Sequence, residues 1–298
     1  MWMCMPSISI PEQATETALG APDPIYDRVL QAYGRGASSE SSRIFRDRVV
    51  TCDSEAMAAA AIAALPHDLF HACSLHKLLD CRSTTVGPGP APTYRLAARV
   101  GLRFAVPLCL SGQKGTEVPQ ALSLLDADAQ QVESAAVVSA VQVIHHPDSR
   151  EYEGAFPLGD AAAAIITAQR PIPGFRGFDI VAVGLAQGTD DQKATLAAAI
   201  GRAIESASMV TDQISWVVAH HYSPCLYASL DAVMPGSVKL SRREHPGINF
   251  GCADTLISLA MINDSSEQLS RGTGLLVFAG RHGCVGALLV QSSSPEEQ

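Results

Sequence analysis

The chain has 298 residues, 47% of them hydrophobic and 17% charged, which is enough apolar content for one large core or two fused ones. A net charge of -9 excludes the basic stripe of a nucleic-acid-binding surface, while leaving room for a small basic dock for an acidic carrier protein. No run of about 18 apolar residues occurs and Met1 to Ile10 lacks a basic segment followed by a long apolar one, so neither a membrane span nor a signal peptide is expected.

Residues 11–42 are rich in Pro, Gly and Ser and predict an irregular region with one short helix around Tyr26–Ala32. Asp53–Leu65 predicts a helix, with Asp53 or Ser54 as cap and Ala and Met filling the interior. Thr85–Thr93 is a Pro-rich loop, and Tyr94–Val100 a short helix. Arg103–Leu108 is strand-like. After it come a turn containing Ser111, Gly112, Gln113, Lys114 and Gly115, and a helix over Thr116–Ala127 that tolerates Pro119 in its first turn. Ala135–Ile144 and Asp160–Thr167 are apolar strands, the second entered through Leu158-Gly159. Later, the turn Gly247–Gly251 opens a helix to Ile262, and Gly274–Phe278 and Gly283–Val290 are again apolar strands.

Helix, apolar strand, glycine-bearing turn and strand therefore occur twice. Apolar runs of this kind belong to strands covered by helices on both faces. The pattern predicts a duplicated α/β unit with five-layered αβαβα packing, divided into residues 1–170 and 171–298. The alternative is a doubly wound single sheet with an accidental internal similarity.

The eight cysteines, Cys4, Cys52, Cys73, Cys81, Cys109, Cys225, Cys252 and Cys284, form no Cys-x-x-Cys pair and are expected to be buried free thiols in a reducing cytoplasm. The pairs His145-His146 and His220-His221 lack zinc spacing. No metal and no cofactor is expected.

Five stretches in order resemble the ketosynthase III branch of the thiolase superfamily, the β-ketoacyl-acyl-carrier-protein synthases III. They are Arg43–Leu65 (an arginine-containing segment and Ala-rich helix), Leu158–Ile165 (LGDAAAAI), Ile214–Ser223 (ISWVVAHHYS), Asn249–Leu259 (NFGCADTLISL) and the glycine-rich strand pair of Gly274–Val290. The resemblance implies the thiolase fold and a Cys, His and Asn triad at the end of an acyl-pantetheine tunnel. His220 matches the His, in a run where Ala219 stands for the family's Pro and His221 for its Gln, and Asn249 matches the Asn. Decarboxylating a malonyl thioester leaves negative charge on an enolate oxygen, which two fixed donors stabilise where water is excluded.

The nucleophile is the departure. The family's Cys sits at the start of the helix after the first strand, where a helix N-terminus lowers a thiol's pKa. Here that turn, Leu110 to Thr116, contains no Cys. One register places Gln113 at the position and another places Thr116 there. Gly115 and Gly280 are the candidate substrate-binding or oxyanion glycines. Cys109 precedes the turn in an apolar strand end, where a buried, unreactive thiol is expected. Relative to the family, the segments before Arg43 and between Thr167 and Thr195 look abbreviated.

Three functions follow as expectations. The first is an acyltransferase or decarboxylase acting on acyl or malonyl thioesters of acyl-carrier protein or coenzyme A. Gln113 would donate to the thioester carbonyl, or a hydroxyl of Thr116 or Ser111 would carry the acyl group with His220 as base. The second is a non-catalytic subunit of a heterodimer with a ketosynthase paralogue. The third is an ordinary condensing enzyme using Cys109. The resemblance also implies a dimer formed through the strand Ala135–Ile144 at a sheet edge.

Overall fold

The computed structural model describes residues 1–10, 54–82, 92–102, 105–111, 115–129, 132–141, 161–187, 192–221, 224–236, 238–241, 249–263, 272–280 and 283–293. The short helix expected at Tyr26–Ala32, Cys52 and Gln113 lie outside them.

Two runs of elements follow the same plan. The first is β1 (Trp2–Cys4), β2 (Ser7–Ser9), α1 (Ser54–Ala63), α2 (His67–Ala72), β3 (Lys77–Arg82), α3 (Pro92–Arg99), β4 (Val106–Ser111), α4 (Glu117–Ala127), β5 (Ser134–Val141) and β6 (Ala161–Ala168). The second is β7 (Gly177–Gln187), α5 (Gln192–Ser206), β8 (Ile214–Ala219), α6 (Pro224–Val233), β9 (Lys239–Ser241), a 3-10 turn at Gly251–Ala253 leading into α7 (Asp254–Asn263), β10 (Thr273–Ala279) and β11 (Cys284–Ser293).

Strand order runs β4-β3-β5-β6-β1-β7-β11-β10-β8-β9, with β2 paired to β6 off this path. The order reads the same from both ends once β1, β3, β4, β5 and β6 are matched to β7, β8, β9, β10 and β11. In each half three strands are parallel, and the last two join antiparallel. The halves meet where β1 pairs antiparallel with β7, with Met3 opposite Phe178. An antiparallel join is the arrangement that a two-fold relation between the halves requires.

The helices sort into layers by what they touch. Helices α1 and α3 pack on first-half strands, and α5 on β7 and β11. Helix α4 contacts β3, β4 and β5 of one half and β7 and β11 of the other, while α7 contacts β8 and β10 but also β2 and β6. These two helices form the middle layer, so the architecture is five-layered αβαβα. Alternation along each strand serves both of its sides. Val217, Leu275, Val277 and Leu289 pack with Leu196 and Leu230 of the outer helices. Trp216, Val218, Leu276 and Phe278 face Val118 of α4 and Leu256 of α7. Each such fully buried aliphatic or aromatic side chain contributes about 1.5–3 kcal/mol.

Close approach of the middle layer depends on small residues. Pro119, in the first turn of α4, rests on Gly286 of β11, where an added Cβ would lie 2.4 Å from the proline ring.

The structure corrects three expectations, one about a strand and two about cysteines. Strand β5 is flanked by β3 and β6 and buried along its whole length, so the described part of the expected edge strand, Ala135–Val141, offers no sheet edge; its apolar character reflects burial on both faces. The edge is β4, whose Val106 and Leu108 are exposed and which accommodates Pro107. Cys109 on this strand is likewise exposed rather than buried, and so is Cys225. The segment between Thr167 and Thr195 holds the strand β7, which no sequence pattern announced. Among the described residues, no helix is long and apolar enough to cross a membrane.

Candidate active site

The N-terminal ends of α4 and α7 and the C-terminal end of β8 carry buried polar side chains into the middle layer. Strand β8 is apolar through Ala219, and its alternation turns Trp216 and Val218 toward that layer; His220 continues the phase. His220 is 1% exposed. Its backbone N–H donates to Val277 O at 2.8 Å, extending the pairing with β10 by one residue.

The imidazole is fixed at both nitrogens. The Ala279 N–H donates to Nδ1 at 3.2 Å, so Nδ1 carries the lone pair and the ring proton resides on Nε2. Nε2 in turn lies 2.7 Å from Asn249 Oδ1 and donates to it. Asn249, also 1% exposed, receives a second bond on the same oxygen from the Gly251 N–H at 2.6 Å. Two donors on one oxygen identify it as the carbonyl of the carboxamide, leaving the NH2 group as the donor end. The structure thus brings His220 and Asn249 into direct contact. As a neutral Nε2–H tautomer, the imidazole is set up as a hydrogen-bond donor, and its only lone pair is turned into the backbone.

The first turn of α4 sits against the same loop. Gly115 has a φ of +125°, and a Cβ there would meet the Ala279 carbonyl oxygen at 2.2 Å and Gly280 Cα at 3.1 Å. Only glycine combines that dihedral with that contact. Gly115 and Gly280 therefore act by close approach. Their N–H groups are engaged within the protein, Gly115 with Glu117 Oε2 at 2.7 Å and Gly280 with Cys284 O at 2.8 Å. Thr116 is 1% exposed and caps α4 by position, without a side-chain cap bond.

Two buried carboxyl groups had no signature in the sequence. Glu117 is fully buried in the first turn of α4. Asp254, also fully buried, accepts the His221 N–H on Oδ1 at 2.6 Å and the Phe250 N–H on Oδ2 at 2.8 Å. An acid at the first turn of an apolar helix is the only local sign of such a role. His221 turns to the outer layer, where its Nδ1 lies 2.9 Å from the Tyr227 hydroxyl.

The remaining candidates lie on the other face of the first-half sheet. Cys109 is in register with Asp80, and Ser111 with Arg82, so they share the face on which Arg82 bonds Asp80 and Ser54 and Thr93 bonds Asp80. Partial burial and the neighbouring Asp80 raise the Cys109 thiol above its ordinary pKa, against smaller lowering effects of Thr93 and Arg82. On the middle-layer face, Cys81 is raised further, first by burial and then by Cys252 and Glu117. Cys252 donates to Cys81 O at 3.4 Å.

No family sequence model matches the chain, and no curated protein matches it by sequence. Solved structures do match it in fold. ChlB3, described as an acyltransferase, superposes with a TM-score of 0.71 at 17% identity, over 99% of this chain and 98% of the other. The 3-oxoacyl-(acyl carrier protein) synthase III of Pseudomonas aeruginosa gives 0.67 at 18% identity, over 97% of both chains. OleA of Xanthomonas campestris bound to cerulenin gives 0.69 at 12%, over 98% and 97%. The chain has the thiolase fold, in the form these synthase III-like structures share.

Proposed function

We propose that the chain acts on acyl or malonyl thioesters of an acyl-carrier protein or coenzyme A, as a ketosynthase III-type decarboxylase or acyltransferase without a cysteine-bound intermediate. Fatty-acid-like or polyketide biosynthesis is the setting this chemistry fits. The observation that carries the reading is the buried His220–Asn249 pair with its imidazole proton on Nε2. In decarboxylation of a malonyl thioester, the bond from Cα to the carboxylate breaks and carbon dioxide leaves. The electron pair becomes an enolate, and water returns a proton to the carbon to give the acetyl thioester. An enolate oxygen beside the pair would draw the Nε2–H from Asn249 and take a second hydrogen bond from the Asn249 NH2. Such a donor is worth about 10²–10³ in rate. Gln113, in the register that aligns it with the family's nucleophile, donates to the thioester carbonyl.

The same protonation state disfavours an oxygen-ester route through Thr116 or Ser111. A base must accept a proton, and neither ring nitrogen offers an available lone pair. Cys109 faces Asp80 and Thr93, which disfavours the ordinary condensing enzyme.

A second reading draws on β4. Its exposed Val106 and Leu108 favour pairing of this edge with a second copy or with a ketosynthase-like chain, in which case the protein completes a dimer as a non-catalytic subunit.

Incubation with malonyl-coenzyme A and malonyl-carrier protein tests both readings, with thioester products and intact protein mass followed by mass spectrometry. The expected result is conversion to the acetyl thioester or transfer to an added acceptor, no protein adduct, and a loss of about two to four orders of magnitude in His220→Ala. Turnover only after a second ketosynthase-like chain is added would support the subunit reading. An acyl adduct abolished by Cys109→Ser would overturn both.

A further inference from the structure

We infer that Asp254 is a positioning residue whose two carboxylate oxygens set the spacing of the His220–Asn249 pair; the inference rests on that pair being the reactive site. Asp254 opens α7, and its carboxylate bonds beyond its own helix. An N-cap side chain reaches forward to an N–H two or three residues ahead. Asp254 reaches back, to the Phe250 N–H at 2.8 Å, which closes the turn Phe250–Asp254, and across the fold to the His221 N–H at 2.6 Å. These two amides are the ones immediately following Asn249 and His220 in the chain.

One rigid group, with one oxygen for each amide, thereby ties two segments whose directly bonded residues, His220 and Asn249, are 29 residues apart. A second, indirect tie runs through β10, where Val277 O accepts both the His220 N–H and the Thr255 hydroxyl of α7, each at 2.8 Å. His220 is separately tied to β10 through Val277 O and Ala279 N–H, and Asn249 to its own turn through Gly251 N–H. Those bonds orient each side chain on its own segment. The distance between the segments is set by Asp254, by the shared Val277 carbonyl and by the His220–Asn249 bond itself, which must loosen whenever an oxyanion takes the Nε2 hydrogen bond. At that moment Asp254 is the link that acts directly on the two amides flanking the donors.

The chemistry suits the task. A fully buried carboxylate is costly unless its lone pairs are filled. Here the two amide donors are short and the Ser258 hydroxyl, 3.4 Å from Oδ1, adds a weaker contact. A neutral amide at this position would set an NH2 group against one of the two N–H donors, so Asp254→Asn removes one tie while preserving shape. Asp254→Glu keeps both oxygens but displaces them by one methylene.

The test has two readouts. The first is nitrogen-15 and proton NMR of protein labelled in histidine, which reports the His220 ring independently of turnover. Wild type is expected to show a slowly exchanging, downfield Nε2–H with an unprotonated Nδ1. In Asp254→Asn that proton is expected to broaden or move upfield, with the circular dichroism spectrum unchanged. The second is malonyl thioester turnover. Asp254→Asn is expected to lower kcat about 10–100-fold with KM within about threefold, and to cause no further loss in a His220→Ala background. Should Asp254→Asn not fold, Asp254→Glu is read by the same measures, with a smaller change in the same direction. An unchanged His220 ring signal in a folded variant overturns the inference, as does a kcat loss that persists in full in the His220→Ala background. Absence of turnover in the wild type, with the ring response intact, would remove the proposed activity and leave the positioning role standing.

Discussion

Replacing Gly115 with alanine should weaken both the fold and the site, by amounts that follow from the contacts of this residue. An added Cβ would lie 2.2 Å from the Ala279 carbonyl oxygen. Carbon and oxygen settle no closer than about 3.3 Å, so the first turn of α4 must retreat by about 1 Å. The φ of +125° adds strain for any L side chain, about 1–3 kcal/mol, and the overpacking adds about the same. The sum, about 2–6 kcal/mol, lies within the stability of an ordinary domain, so the variant should still fold. The displaced atoms are not remote from the chemistry, because the N–H of Ala279 holds His220 Nδ1. A shift of about 1 Å at a reacting constellation costs about 10²-fold in rate. Equilibrium urea unfolding and malonyl thioester turnover measure the two effects. A variant within about 1 kcal/mol of wild type and within about threefold in turnover would refute the reasoning, since it would mean that α4 is not seated rigidly on Ala279 and Gly280.

Asn249→Asp keeps the oxygen that accepts from Gly251 and His220 but replaces the donor end with a second buried oxygen, so stability should fall by about 1–3 kcal/mol while turnover falls about 10²–10³-fold; retained turnover would remove Asn249 from the oxyanion role. Burial pushes the Cys4 thiol up from 9.0 to about 12. The stability linked to its neutral form is therefore complete below about pH 9 and lost as the pH rises toward about 12, by up to about 1.4 kcal/mol per pH unit. Thermal melts of Cys4→Ala should show a shallower alkaline decline than wild type, and equal slopes would contradict the burial argument. Lysines at Val106 and Leu108 together should convert a dimer to a monomer in sedimentation, whereas unchanged association would place the contact elsewhere.

The apolar strands β5, β6, β10 and β11 were legible because burial on both faces leaves an uninterrupted run, and the repeat of their order carried the fold. Strand β3 was not, because its KLLDCR sequence interrupts the apolar pattern with Asp80 and Arg82, whose burial is compensated by each other and by Ser54 and Thr93. In the second half, α5 and α6 were passed over; their Ala-rich and mixed sequences carry no cap or heptad strong enough to stand out. Mistaking β5 for an edge came from reading apolarity as exposure to a partner. Pro107 was the available signal for the true edge, since proline has no donor for a central ladder. His220 and Asn249 were found through resemblance. Glu117 and Asp254 were not, because what makes a buried carboxyl group tolerable is a backbone N–H supplied by the folded chain, and no local pattern records it.

Glu117 and Asp254 occupy matching places, the first turns of the two middle-layer helices, and each accepts a backbone N–H from just upstream. The partial positive charge at a helix N-terminus is what ordinarily favours a thiolate or an alkoxide placed there. In this chain both such ends already face a carboxyl group of their own, so the electrostatic work of the two dipoles is done before any substrate arrives. A nucleophile introduced at this position would gain little from α4 and would meet Glu117 as a neighbour. Restoring cysteine chemistry to this protein therefore requires more than placing a thiol at Thr116: Glu117 would have to be neutralised in the same step. On the proposed reading, neutral hydrogen-bond donors rather than helix charge would hold the developing anion.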